Sequence, residues 1–319
     1  MKLGIIVVYA VKEDNDKLLE LHLSQISKHT HVPYTIYGCA NRLLPKFRQR
    51  LMQHPKVKIC ECEYTELRDA VEHSFYLEQL VKCAIQENVT HLAILHVDSF
   101  PIRSDWAEEL AGMLSDHCVL AATMRDEEYD RRPFTACMFF HRAFYAKYHP
   151  TFQVSHGELS SQAYKKYLSK FSHTYESGVG YGFTIDREKL TWHPLVRSNK
   201  GEDHHIIGSV YGDLIFHLGS AHRETKSFPR DDVQPFEIGR VRKKLVALRK
   251  SIAVLLPNIL RRHVDKFLPR TVADFLFPQY RSNEEAFRIV RERLLNDPES
   301  YLTFLRTGKL QQSSLRSSP

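Results

Sequence analysis

His91–Trp106 reads HLAILHVDSFPIRSDW, and the rest of the chain is organised around it. Its apolar run, Leu92-Ala93-Ile94-Leu95, is too short for an independent helix and suits a buried strand. Alternation along a strand places residues i and i+2 on one face, which would put His96 and Asp98 side by side at the strand's end. Ser99-Phe100-Pro101 is expected to end the strand, because proline cannot continue a central ladder. Ser104 suits an N-cap, and Asp105, Glu108 and Glu109 suit the first turns of a following helix. An imidazole and a carboxylate thus meet where strand gives way to loop, the place where open α/β sheets bind ligands. The pair has two readings. It is a partial shell for Mn²⁺ or Mg²⁺, with a substrate's phosphates completing it. Alternatively, His96 is a core histidine and Asp98 caps the turn.

Working outward toward the N-terminus, strands are expected at Lys2–Tyr9, Pro33–Cys39 and Val57–Cys62, with helices at Asp16–Lys28, Pro45–Met52 and Leu67–Gln86. Toward the C-terminus, a helix at Trp106–Leu114 precedes strands at Cys118–Met124 and Phe134–His141 and a short helix at Ala143–Tyr148. Alternating strands and helices imply an α/β fold with a mostly parallel central sheet and helices on both faces. A helix is expected at Ser160–Phe171, within a polar, aromatic segment that reads as a substrate-facing insertion. Tyr175–Asp186, YESGVGYGFTID, is glycine-rich but lacks the spacing of a dinucleotide fingerprint, and no glycine-rich turn follows the first strand. Thr191–Arg197 reads as a strand, Glu202-Asp203-His204-His205 as a polar loop, and Tyr211–Leu218 as one last strand ending at His217.

At 319 residues the chain is long enough for one large domain and an appendage. Its 43% hydrophobic and 26% charged residues are those of an ordinary globular protein. No signal-peptide pattern opens it, and no apolar run approaches the roughly 20 residues of a membrane span. Six cysteines without a regular framework, among them Cys39, Cys60, Cys83, Cys118 and Cys137 in or beside apolar segments, read as buried free thiols in a reducing cytoplasm. The formal charge of +7 permits anionic partners and selects none. Basic residues concentrate in Phe236–Arg270, where Val241, Leu245, Leu248, Ile252, Leu255 and Ile259 recur at helical spacing, interrupted by Pro257. That segment is either a solvated helix face or an interfacial helix drawn to anionic lipid, peripheral on the inner face of the cytoplasmic membrane. It carries no nucleic-acid reading motif, so nucleic acid is not expected as a partner. Ser282–Asn296 and Glu299–Thr307 read as helices, the second stopped by Gly308. Residues 309–319 are expected to be a disordered tail.

Taken together, residues 1–223 resemble a GT-A glycosyltransferase, closest to the family 2 type, with 224–308 as a helical, basic C-terminal region. LAILHVDSFPI resembles the strand leading into that family's D-x-D motif, with His96 in place of the first acidic residue and Asp98 as the last. IFHLGSAHR resembles the late strand whose histidine completes the metal shell, which implies His217, with His222 as the alternative. The resemblance implies a general base at Glu176, with Glu202 and Asp203 as rivals, and donor contacts from Tyr9, Glu13, Asn41, Arg125 and Asp126. His96 would lie close to the metal or to the donor's diphosphate. The implied activity is a metal-dependent, inverting hexosyltransferase. It would move a sugar from a nucleotide-sugar donor, such as a UDP-sugar, to a glycan or lipid-linked acceptor in surface polysaccharide synthesis. Two other classes stand beside it: a nucleotidyltransferase, which needs a glycine-rich basic loop that VVYAVKEDNDK lacks, and a non-catalytic nucleotide-sugar-binding scaffold.

Overall fold

The computed structural model describes residues 1–11, 13–41, 43–126, 130–171, 177–201, 207–219 and 283–309. Two compact units are distinguished: Met1–Ser198 with Val210–His217, and Asn199–Ser209 with Leu218–Pro319.

The first unit is built on a seven-stranded sheet. Its strands are β1 (Leu3–Val8), β2 (Tyr34–Cys39), β3 (Val57–Ile59), β4 (His91–Leu95), β6 (Cys118–Asp126), β7 (Asp130–His141) and β8 (Thr191–Leu195), in the order β3-β2-β1-β4-β7-β6-β8. β1 runs parallel to β2 and β4, β2 to β3, and β6 to β8, while β7 is antiparallel to both β4 and β6. The sheet is therefore mostly parallel, as the alternation of elements implies. The antiparallel β7 is not legible in that alternation.

Consecutive residues of β7 show how both faces are covered. Phe139 meets Trp106 of α4 (Trp106–Gly112), whereas Phe140 meets Phe144 of α5 (Arg142–Tyr148) and Tyr181 of α8 (Val179–Arg187). Opposite side-chain directions at neighbouring positions require helices on both sides. α3 (Asp69–Gln86) joins the Phe140 side, where Tyr76, Leu77, Leu80, Val81 and Ala84 share one core with Ile6, Tyr37 and Ile94. α1 (Asp16–His29) buries His22, Gln25 and His29 beside its leucines, which explains its broad, irregular stripe.

Several elements differ from the sequence reading. β3 stops at Ile59, and the helices after Trp106 and Ser160 are shorter, at Trp106–Gly112 and Gln162–Leu168. Ser104 does not cap α4; Asp105 holds that position without a side-chain cap bond, and its carboxylate pairs with Arg103. Ser99–Pro101 does not simply end a strand: it is β5 of a second, three-stranded sheet ordered β5-β10-β9, where proline is tolerated on an edge. Tyr211–Leu218 is not one strand but a hairpin of β9 (Ser209–Tyr211) and β10 (Ile215–His217). Gly212 and Asp213 turn it with φ of 58° and 56°, and Leu214 N–H donates to Tyr211 O at 3.0 Å. Both central residues in the left-handed region mark a type I′ turn, for which Gly-Asp is suited.

The glycine-rich run is a helix. A Cβ on Gly180 would lie 2.1 Å from Thr151 O, and one on Gly182 would lie 2.2 Å from the Tyr167 hydroxyl oxygen. Those glycines trade helix propensity for close packing. The six cysteines are free; Cys39, Cys60 and Cys137 are buried as expected, while Cys83 and Cys118 are only half-buried.

In the second unit, the described helices are α9 (Asn283–Asn296) and α10 (Pro298–Thr307). Asp297 caps α10 by accepting from Ser300 N–H at 3.1 Å, with Pro298 at its first position, and Gly308 at φ 72° closes it. Leu305 O accepts from Lys200 N–H at 2.7 Å, and Gly208 lies against Val290. Among the described residues no helix is long and apolar enough to cross a membrane. The basic stretch 236–270 lies outside them.

Candidate metal centre

His96, Asp98 and His217 meet in the first unit, and one ligand atom from each lies within 4.8 Å of the others. Asp98 Oδ1 is 3.5 Å from His217 Nε2 and 4.0 Å from His96 Nδ1. The proximity of His96 and Asp98 does not come from strand alternation, because β4 ends at Leu95. Residues 96–99 form a turn in which Ser99 N–H donates to His96 O at 3.0 Å. The Ser99 hydroxyl accepts from His96 N–H at 2.8 Å and donates to Ala136 O at 2.5 Å, fixing the turn to β7. From the other side, His22 Nδ1–H donates to Ser99 O at 3.0 Å. Burial pulls the His22 imidazole down to about 4, so it is a neutral support near pH 7.

His217 arrives by the second sheet. In the antiparallel pairing of β5 and β10, Ser99 stands opposite His217, Phe100 opposite Phe216 and Pro101 opposite Ile215. Phe100 and Phe216 stack at 5.1 Å between ring centroids, which secures the register. The Phe134 ring sits edge-on to both imidazoles, 5.4 Å from His96 and 5.7 Å from His217.

Two atoms held about 2.1 Å from one ion lie roughly 3.0–3.4 Å apart at tetrahedral or octahedral angles. The observed separations from Asp98 are wider, at 3.5 and 4.0 Å, and all three ligand atoms lie within 4.8 Å of one another. Two imidazole nitrogens and one carboxylate oxygen make a mixed donor set that suits a divalent transition ion such as Mn²⁺. Asp98 and His217 are buried, at 5% and 7% exposure. A buried carboxylate is stabilised by positive charge, which a divalent ion can supply. These three residues thus form a group able to hold a divalent metal.

The other expected site residues that are described lie at or after the ends of β1, β2 and β6. Tyr9 is buried, lying edge-on to His22 and against Gly38. Glu13 is exposed and pairs with Lys46 at 3.3 Å. Asn41 follows β2 and donates to Cys62 O at 2.9 Å, tying that loop to the segment after β3. Arg125 and Asp126 end β6, on the same sheet edge as the turn after β4. Glu176, Glu202, Asp203 and His222 lie outside the described residues.

Three residues next to the centre are not among the site candidates read from the sequence. His96 Nε2 is 3.0 Å from Thr135 Oγ1, Thr135 Oγ1 is 2.9 Å from Ser177 Oγ, and Ser177 Oγ is 3.1 Å from His73 Nδ1. The threonine in FTACMFFH could be noticed as a polar position on an apolar strand, but only the antiparallel β4–β7 pairing sets it beside His96.

No family model matches this sequence, and no curated protein matches it. Among solved structures, the chain is similar to a mannosyltransferase from Pyrobaculum calidifontis in complex with GDP-Man and Mn²⁺. The identity is 12% and the TM-score 0.35, over 48% of this chain and 47% of that one. The chain thus spans about half the length of that protein. It is also similar to mouse xyloside xylosyltransferase 1, at 12% identity and TM-score 0.39, over 61% and 84% of the two chains. A third likeness is to 4-diphosphocytidyl-2C-methyl-D-erythritol synthase from Anaerococcus prevotii, at 10% identity and TM-score 0.38, over 61% and 86%.

Proposed function

We propose that this chain is a divalent-metal-dependent glycosyltransferase of the GT-A, family 2-like type, acting on a nucleotide-sugar donor. The observation that carries this reading is the His96–Asp98–His217 group at the turn after β4, a sheet edge where ligands bind in open α/β folds. When bound there, a divalent ion offsets the negative charge that grows on the donor's diphosphate. The acceptor hydroxyl needs a base, and a positioned carboxylate contributes roughly 10²–10⁴-fold. Glu176 is our choice over Glu202 and Asp203. Its support is its order in the sequence, ahead of β8 and of the late strand β10 that ends at His217. The finer reading is an inverting hexosyl transfer to a glycan or lipid-linked acceptor of surface polysaccharide, with 236–270 contacting anionic lipid.

The test is hydrolysis of a panel of UDP- and GDP-sugars with Mn²⁺, with Mg²⁺ and with chelator. Metal-dependent release of nucleoside diphosphate is expected from at least one donor. Donor binding without turnover, on any acceptor tried, would instead make the chain a nucleotide-sugar-binding scaffold.

A further inference from the structure

A histidine that binds a metal through one ring nitrogen is oriented by what its other nitrogen touches. In His96 the two nitrogens have separate duties. Nδ1 is the atom on the Asp98 side, 4.0 Å from its Oδ1, while Nε2 lies 3.0 Å from Thr135 Oγ1. Thr135 is fully buried, so its hydroxyl has fixed neighbours rather than solvent. We infer that Thr135 is a positioning residue for His96, and that Thr135 and Ser177 join His96 to His73 as one directed hydrogen-bond chain. This rests on the metal reading of the site.

The direction follows from counting protons. With Nδ1 offering its lone pair to a cation, neutral His96 carries its proton on Nε2 and must donate to Thr135 Oγ1. The threonine hydroxyl has one proton, which passes to Ser177 Oγ at 2.9 Å. The serine hydroxyl likewise has one, which passes to His73 Nδ1 at 3.1 Å. His73 is therefore an acceptor at Nδ1 and holds its own proton on Nε2. Every hydroxyl in the chain donates once, so choosing the His96 tautomer chooses all of them. The His73 and His96 rings also meet edge-on, 5.1 Å between centroids, which keeps the ends of the chain together.

The backbone is shaped to allow this. Gly178, at φ 93°, has no side chain, and a Cβ there would lie 3.1 Å from Thr135 Cγ2. Gly178 N–H donates to Phe152 O at 3.0 Å, which anchors the residue after Ser177 to the segment following α5. A larger residue would push Ser177 off Thr135.

The test measures Mn²⁺ binding alone, by electron paramagnetic resonance titration of the full chain without any donor. Thr135→Val keeps shape and removes the acceptor; it should weaken Mn²⁺ about 10–100-fold, while Thr135→Ser should restore affinity close to wild type. Wild-type affinity in Thr135→Val would overturn the inference, provided that Asp98→Ala has lost binding. If Asp98→Ala binds as tightly as wild type, the metal reading itself fails. A readout independent of any variant is the ¹⁵N spectrum of the wild-type chain with Mg²⁺. It should show His96 and His73 both protonated on Nε2, and the opposite tautomer at either ring would overturn the chain's direction.

Discussion

Asp98 and His217, far apart in sequence, are brought to 3.5 Å between Oδ1 and Nε2 by a three-residue strand pairing. Neither residue would be a ligand without the other's strand. Asp98→Ala should therefore abolish Mn²⁺ binding and donor turnover while leaving far-UV circular dichroism unchanged. His217→Ala should weaken the metal more than it weakens the fold. Chelator-insensitive turnover in wild type would contradict the assignment.

Glu176→Gln keeps size and hydrogen bonding and removes basicity. Its kcat should fall by about 10²-fold or more, with donor Kd nearly unchanged. Asp203→Asn should be far milder. The reverse ranking would move the base to the later acidic cluster.

Gly180→Ala tests the packing of α8. Alanine favours a helix by about 1 kcal/mol, yet its Cβ would sit 2.1 Å from Thr151 O, a backbone atom that cannot rotate away. A net destabilisation of about 1–3 kcal/mol is expected, read as a lower Tm. Gly112→Ala, with nothing within 4 Å of the new Cβ, should be neutral or stabilising.

Glu78 gives a pH dependence. Burial pushes its carboxyl up to about 7, against the Phe152 N–H that it accepts. The folded state then holds the proton more tightly than the unfolded state does. The stabilisation is full below the ordinary carboxylate range and is lost as pH rises through about 7. Between pH 5 and 8, wild type should lose about 1–3 kcal/mol relative to Glu78→Gln, which retains the acceptor oxygen. Chemical denaturation of both at the two pH values measures the difference.

The basic stretch Phe236–Arg270 carries a cationic and an apolar pattern together. Cosedimentation with vesicles containing phosphatidylserine should be strong at low salt and weaken as ions screen the charge. Changing Arg242, Lys243, Lys244, Arg249 and Lys250 to glutamine should release the protein without lowering its Tm. Indifference to such vesicles at low salt would leave the stretch an ordinary helical appendage.

The elements whose pattern is local could be read directly. β1, α1, β2, α3 and β4 stand within one or two residues of their expected bounds, because two- and 3.6-residue periodicities depend only on near neighbours. Asp98, His96 and His217 were each recognisable as metal-compatible groups at strand ends. Their meeting was not. It required the chain to turn at 96–99, to give Ser99–Pro101 to a second sheet, and to fold Tyr211–His217 into a hairpin around Gly212-Asp213. Thr135 and Ser177 were invisible for the same reason: a threonine in an apolar strand says nothing until β7 is placed antiparallel to β4. Pairing partners and register are chosen by the burial of whole faces, summed over residues distant in the chain. A helical or extended run can be recognised from its neighbours alone, but the atom that faces a metal ligand is set by the strand that happens to lie alongside.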